Sequence, residues 1–254
     1  MRRTYLLTGV GIASFILFII VTVPASIITN QLRFIGPGSV QINGVDGTAW
    51  NGRIRSLNIN GIQLHDTYWD LSPAALLLGR LSASVMTRAA GSEISFTATL
   101  RVSGNMAIHD LDATGPVRPI ASKFNLPITT GRYQVQLSAL NINDGWPTRF
   151  IGSGQVTDIP LNFMGGTSGP TGSYRIIFDI ESVSSDGRLL GMLSDDGGPV
   201  EVGGNIELTP PMNYALQIKL KARPGAPTEI TQALNLAGPV GPDGRHEISF
   251  AGSL

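Results

Sequence analysis

Along most of the chain apolar and polar residues alternate with a period of two, the mark of strands with one buried and one solvated face. The alternation begins near Val40 and runs through Leu57-Asn58-Ile59 and Ile62-Gln63-Leu64. It is unbroken from Ile94 through Phe96, Ala98 and Leu100 to Val102, and it returns at Tyr133, Val135 and Leu137. Tyr214, Leu216, Ile218 and Leu220 repeat it, with shorter runs at Val200–Val202, Ile206–Leu208 and Ile248–Phe250. Tyr174–Ile180 is denser in apolar residues and reads as a strand set deeper in the sheet. Asp46-Gly47, Asp144-Gly145, Asp186-Gly187, Asp196-Gly197 and Asp243-Gly244 punctuate these runs. Asp-Gly favours tight hairpins because both central positions accept a positive φ, and closely spaced hairpins make antiparallel neighbours. The expected fold is mainly β: a curved antiparallel meandering sheet, or sheets, with a few short helices.

Three short helices are expected. Ser72–Gly79 reads as an N-cap serine, a proline at the first position, apolar turns and a glycine stop. Pro116–Asn125 is a weaker helix, broken by Pro119. Pro227–Gly238 again starts on proline and stops on glycine, with Ile230, Ala233, Leu234 and Ala237 on one face. Residues 165–172, rich in Gly, Thr and Ser, form a loop that marks a sub-boundary between two sheet halves.

The amino terminus breaks the pattern. Arg2 and Arg3 precede an uncharged apolar run from Tyr5 to Val23, 19 residues that suffice to cross a bilayer as a helix. A cleaved signal peptide usually carries only 7–15 apolar residues, so the length favours a retained anchor. The arginines keep their end cytoplasmic. The expected layout is a stub at 1–4, a transmembrane anchor at 5–23 and a β-rich domain at 24–254 on the far side of the membrane.

Composition narrows the functions. Among 254 residues, 18 basic and 18 acidic side chains cancel and no Lys or Arg run appears. A nucleic-acid partner demands a basic stripe, so none is expected. The 31 glycines and 16 prolines suit turns and short strands. The chain has no cysteine, which excludes thiol nucleophiles and cysteine metal sites.

The candidate chemistry is thin. His65-Asp66 and His109-Asp110 resemble metal-ligand pairs, but both sit in strand-like alternation, where neighbours point to opposite faces. His246 has no partner at helical spacing. Asp195-Asp196-Gly197-Gly198 and Asp110-Leu111-Asp112 offer carboxylates, without the spacing of a calcium loop. Gly152-Ser153-Gly154 lacks nucleophile-elbow spacing, and Gly165–Gly169 lacks the lysine of a phosphate loop. The expectation is a protein that is not an enzyme, with no catalytic residue, metal, cofactor or small-molecule substrate.

Trp50 and Trp69 carry more. Each stands beside glycine or proline turns at the start of the β region, where a large ring can close a sheet end; the alternative is an interface role. Gly44-Val45-Asp46-Gly47-Thr48-Ala49-Trp50-Asn51-Gly52 resembles the Gly-Val-x-Gly-Thr-x-Trp-x-Gly pattern of the type II secretion system protein N family. Trp69-x-Leu71-x-Pro73-x-x-Leu76-Leu77-x-Gly79-Arg80-Leu81 is similar to that family's second block. Pro24-Ala25 at the anchor's end also fits. The likeness is specific over roughly residues 1–82 and looser beyond, where Gly152–Val156 carries no tryptophan after the glycines.

That resemblance implies an accessory, non-catalytic protein of the bacterial inner membrane. It implies single-pass topology and a periplasmic domain that supports export of folded proteins through contacts with other secretion subunits. Trp50, Trp69, Gly47, Gly52, Pro73 and Gly79 become candidate structural or interface residues. A second class stays open, since anchored meandering sheets also resemble envelope lipid-transport modules of the AsmA type, whose apolar sheet face is a groove for acyl chains.

Overall fold

A computed structural model describes residues 22–26, 40–59, 61–123, 128–161, 170–183, 185–211, 213–237 and 240–253. Residues 5–21 of the expected anchor and 165–169 of the expected boundary loop lie outside the described residues. Among the described residues no helix is long and apolar enough to cross a membrane.

Among the described residues thirteen strands follow one another across the sheet in chain order, the meander that the alternation predicts. The chain divides into two compact units, one reaching to Ala90 and taking in Thr97–Thr99, the other comprising Gly91–Phe96 and the residues from Leu100 on. The first holds strands β1 (Val40–Gly47), β2 (Asn51–Ile59), β3 (Ile62–Leu71) and β4 (Arg80–Ala89), with helix α1 (Pro73–Leu77) between the last two. Strand β5 (Ser92–Arg101) follows, shared between the units, and then β6 (Met106–Pro116), helix α2 (Arg118–Lys123), β7 (Arg132–Asn143) and β8 (Trp146–Pro160). The chain continues with β9 (Thr171–Ile180), β10 (Leu189–Asp195), β11 (Val200–Thr209), β12 (Asn213–Ala222), helix α3 (Thr228–Ala237) and β13 (His246–Ser253). Neighbouring strands β1–β4 pair antiparallel, as do β6–β13.

The alternation is cleanest on β12, where exposed and half-buried residues alternate along all ten positions. Tyr174–Ile180 is an exception. Phe178 is buried but Ile177 is exposed, so the dense apolar run spreads over both faces of β9 instead of lying deeper. The run ending at Val102 stops one residue early: Gly104 N–H closes a turn on the Arg101 carbonyl and Val102 is exposed.

Of the Asp-Gly dipeptides, Asp144-Gly145 makes the expected tight hairpin, with φ of 51° and 78° between β7 and β8. Asp46-Gly47 does not. It belongs to β1, with Asp46 opposite Arg53 and Gly47 opposite Gly52, and the turn passes through Thr48–Trp50.

The helices need three corrections. Ser72 precedes α1 but makes no side-chain cap; its carbonyl accepts from the Ala75 N–H. Pro119 does not break α2, because it falls in the first turn, where a missing N–H costs nothing. Pro116 is the last residue of β6 instead of the helix start. Helix α3 docks as expected, burying Ile230 and Leu234 against Val200 and Val202. Near α2, Val117, Ala121 and Ile159 form a second small core with Tyr133 and Val156 around it. Ile159 pairs with Gly172 and Pro160 with Thr171, so β8 and β9 are direct neighbours in the sheet.

Candidate functional site

The first unit gathers both tryptophan motifs at one end. Gly47 on β1 faces Gly52 on β2, which in turn faces Trp69 on β3. The Trp69 ring lies across Gly52, and a Cβ there would overlap it. The indole N–H donates to the Ala49 carbonyl at 3.1 Å, so the ring is fixed at both its flat and its polar parts. Gly47 has φ +100°, and a Cβ would sit 2.6 Å from the Asn51 carbonyl oxygen. The Thr48 hydroxyl and the Asn51 backbone close the turn between them.

Trp50 is half-buried in this turn, and its carbonyl accepts from the Leu71 N–H. Pro73 opens α1, and Gly79 ends it with φ +68°. All six residues singled out by the sequence therefore lie at the end of β1, in the β1–β2 turn, on the facing ends of β2 and β3, and in the α1 connection.

The opposite face of these strands is charged. Arg53 pairs with Asp66, its guanidinium also standing 5.3 Å over the Tyr68 ring, and Arg88 reaches the same carboxylate at 4.0 Å. The hydrogen bond from Arg53 holds the Asp66 carboxyl below its ordinary range and raises Arg53 in return. Tyr68 and Met86, cross-strand partners, are both exposed beside them. Arg53, Tyr68, Trp69, Asp70 and Met86 line an open depression of about 480 Å3. Buried between β3 and β4, the Thr67 and Thr87 hydroxyls bond each other at 2.7 Å. This pair had no sequence signal beyond β-branched residues in strands.

The His-Asp pairs have a backbone explanation. Asp66 and Asp110 adopt φ of 50° and 53°, the left-handed region that Asp tolerates better than most residues. At Asp66 the β3–β4 register shifts, the signature of a bulge. Asp158, with φ 57°, sits at a similar shift between β8 and β9. The turn carboxylates are taken up by protein donors. Asp195 pairs with Arg223 and accepts from the Val202 N–H at 2.8 Å, while Asp196 accepts from Arg175 and Gln155, both at 2.8 Å. Burial pushes the nearby Tyr174 phenol up, with the Asp195 charge adding to it. Among the described residues no group of three or more His, Asp or Glu side chains is placed to hold a metal.

In the second unit α2 and α3 cover part of one sheet face. Beside them Ile120, Tyr133, Val135, Val156, Tyr174 and Ile176 line an apolar depression of about 340 Å3. Farther along that face Phe150 and Phe178 stack at 4.3 Å, and the Phe178 ring lies over Gly191, where a Cβ would come within 2.6 Å.

Comparison with known proteins agrees with the motif geometry. A curated relative, type II secretion system protein N of Aeromonas hydrophila, is 24% identical over 265 residues, covering 100% of both chains. The protein of the same description from Vibrio cholerae serotype O1 is 34% identical over 67 residues, 26% of each chain. No solved structure matches the chain. The family profile described as type II secretion system (T2SS), protein N matches residues 38–249, nearly the whole span from β1 to β13, and the chain belongs to that family.

Proposed function

We propose that the protein is a non-catalytic scaffold of the type II secretion machinery, anchored in the inner membrane through residues 5–23 with residues 24–254 in the periplasm. Membership of the protein N family makes it a component of type II secretion. The observation that supports a scaffold is that the family match runs over residues 38–249, from before β1 into β13, so the family is defined by the extended meander of strands. Such a protein works by contact, presenting strand edges and sheet faces to other secretion subunits. The anchor rests on the uncharged run behind Arg2 and Arg3.

Two measurements test this reading. A carboxyl-terminal alkaline phosphatase fusion should be active and should sediment with the inner membrane. Recovery of the β region in the soluble periplasm without its first residues would show a cleaved signal instead. His65→Ala and His109→Ala should secrete normally in a complementation assay; loss of export at normal protein level would point to chemistry at those histidines.

The apolar depression beside α2 favours a second reading, an acyl-chain site of the lipid-transport kind. Co-purification of phospholipid with the full chain, abolished by Val135→Trp, would favour it over the scaffold.

A further inference from the structure

We propose that helix α1 and the leucines around it rest in the bilayer surface, so that the first unit stands on the membrane by its α1 end. Leu76, Leu77 and Leu78 are 42%, 89% and 68% exposed, and Leu81 at the start of β4 is exposed beside them. Three consecutive leucines held out to solvent at the end of a five-residue helix and just past it are costly unless something apolar receives them.

The chain itself says what that is. Val23, where the apolar run ends, gives its carbonyl to the Ala49 N–H at 2.8 Å, Pro24 bridges to Thr48, and Ala25 is fully buried. The β1–β2 turn thus receives the residues that follow the anchor with no slack between. Strand register places α1 at this same end, since Asn51 faces Asp70, the Leu71 N–H bonds the Trp50 carbonyl, and the Ser72 N–H bonds the Ser82 carbonyl at 2.9 Å. The leucines therefore lie at the end of the unit where the chain arrives from the run Tyr5–Val23.

Charge agrees. From Leu71 to Leu81 the one charged residue is Arg80, which is exposed and suited to lipid phosphates. Trp50, in the adjoining turn, is of a type enriched at membrane–water boundaries. A protein partner could also cover leucines, but it would not explain why they stand beside the tether. The proposal rests on the reading of residues 5–23 as a retained anchor.

The chain has no cysteine, so a single thiol can be introduced and labelled without background. Leu77→Cys and Gln63→Cys, each labelled with an environment-sensitive fluorophore, are reconstituted as full-length chains in phosphatidylethanolamine–phosphatidylglycerol vesicles carrying a lipid-borne nitroxide quencher. Both positions are exposed, so neither change threatens the fold, and position 63 lies about 27 Å from Leu71 along β3. The probe at 77 should shift to the blue and lose most of its emission to the quencher, while the probe at 63 should do neither. If the probe at 77 stays unquenched while the chain resists carbonate extraction, the anchor stands and the bilayer contact is overturned. Release of the chain by carbonate overturns the anchor and the contact with it. Shielding at 77 in native envelope membranes but not in pure lipid assigns the leucines to a protein partner and overturns the proposal.

Discussion

At the scale of single residues, two glycines stand where a ring lies against a strand, Gly52 under Trp69 and Gly191 under Phe178. Gly52 leaves the space that Trp69 fills, so Gly52→Ala forces the ring away and strains its N–H bond to Ala49. Overpacking of this kind costs about 1–3 kcal/mol. The mutant should melt earlier, with an altered tryptophan emission spectrum; unchanged melting and emission would show that the ring is not held there. Asp66 offers a test by pH. Its carboxyl is held below the ordinary range by Arg53, so its contribution is present above the unfolded pKa and is lost as pH falls through the lowered folded value. Asp66→Asn keeps a residue that tolerates φ of 50° but removes the charge. Wild type should be the more stable at neutral pH, and the difference should vanish on acidification below the carboxylate range. A gap in melting temperature that persists there would mean that shape, not charge, matters at this bulge. The sequence advertised Trp69 and Gly52 through their motif spacing, but it disguised Asp66. An aspartate in a left-handed bulge and an aspartate beside a ligand histidine look alike until register is known.

At the scale of elements, strands were legible because a half-buried strand writes its faces into the sequence every second residue, as β12 does at Tyr214, Leu216, Ile218 and Leu220. Their order was legible too, since short connections leave a meander few alternatives. Turn positions were harder to read. Asp46-Gly47 has hairpin composition, yet the pairing of Gly47 with Gly52 carries the strand past it, and that register depends on residues across the sheet. Pro119 departs from the expected break for a related reason: proline breaks a helix interior but is welcome in the first turn, so the outcome depends on where α2 begins. Helix α3 was readable through its apolar face, and its docking should be measurable. Ile230 and Leu234 are almost completely buried against Val200 and Val202. Leu234→Ala should destabilise by about 2–5 kcal/mol and speed hydrogen exchange in α3 and in the Val200–Val202 end of β11. Equal exchange in mutant and wild type would mean that α3 contributes little to that core.

At the scale of the molecule, a sheet with one apolar face needs a second layer, and in the second unit α2 and α3 supply only part of one. The small cores around Val117 and Val200 lie under these helices, while the depression at Val135 and Ile176 stays open beside them. Stability built this way is easily raised by whatever binds the folded chain: a partner at a hundred times its dissociation constant adds about 2.7 kcal/mol. In cells a change of about 1–2 kcal/mol alters abundance several-fold, because the unfolded fraction is continually degraded. A scaffold that works by contact should therefore fall in steady-state level when the other secretion subunits are deleted, and recover when they are restored. Immunoblots of envelope fractions at matched transcript level measure this directly. An unchanged level would count against subunits as the missing layer. If depletion of phospholipid from the purified chain lowered its melting temperature while subunit deletion changed nothing, the covering layer would be lipid, and the apolar face would be a carrier's groove instead of a scaffold's contact.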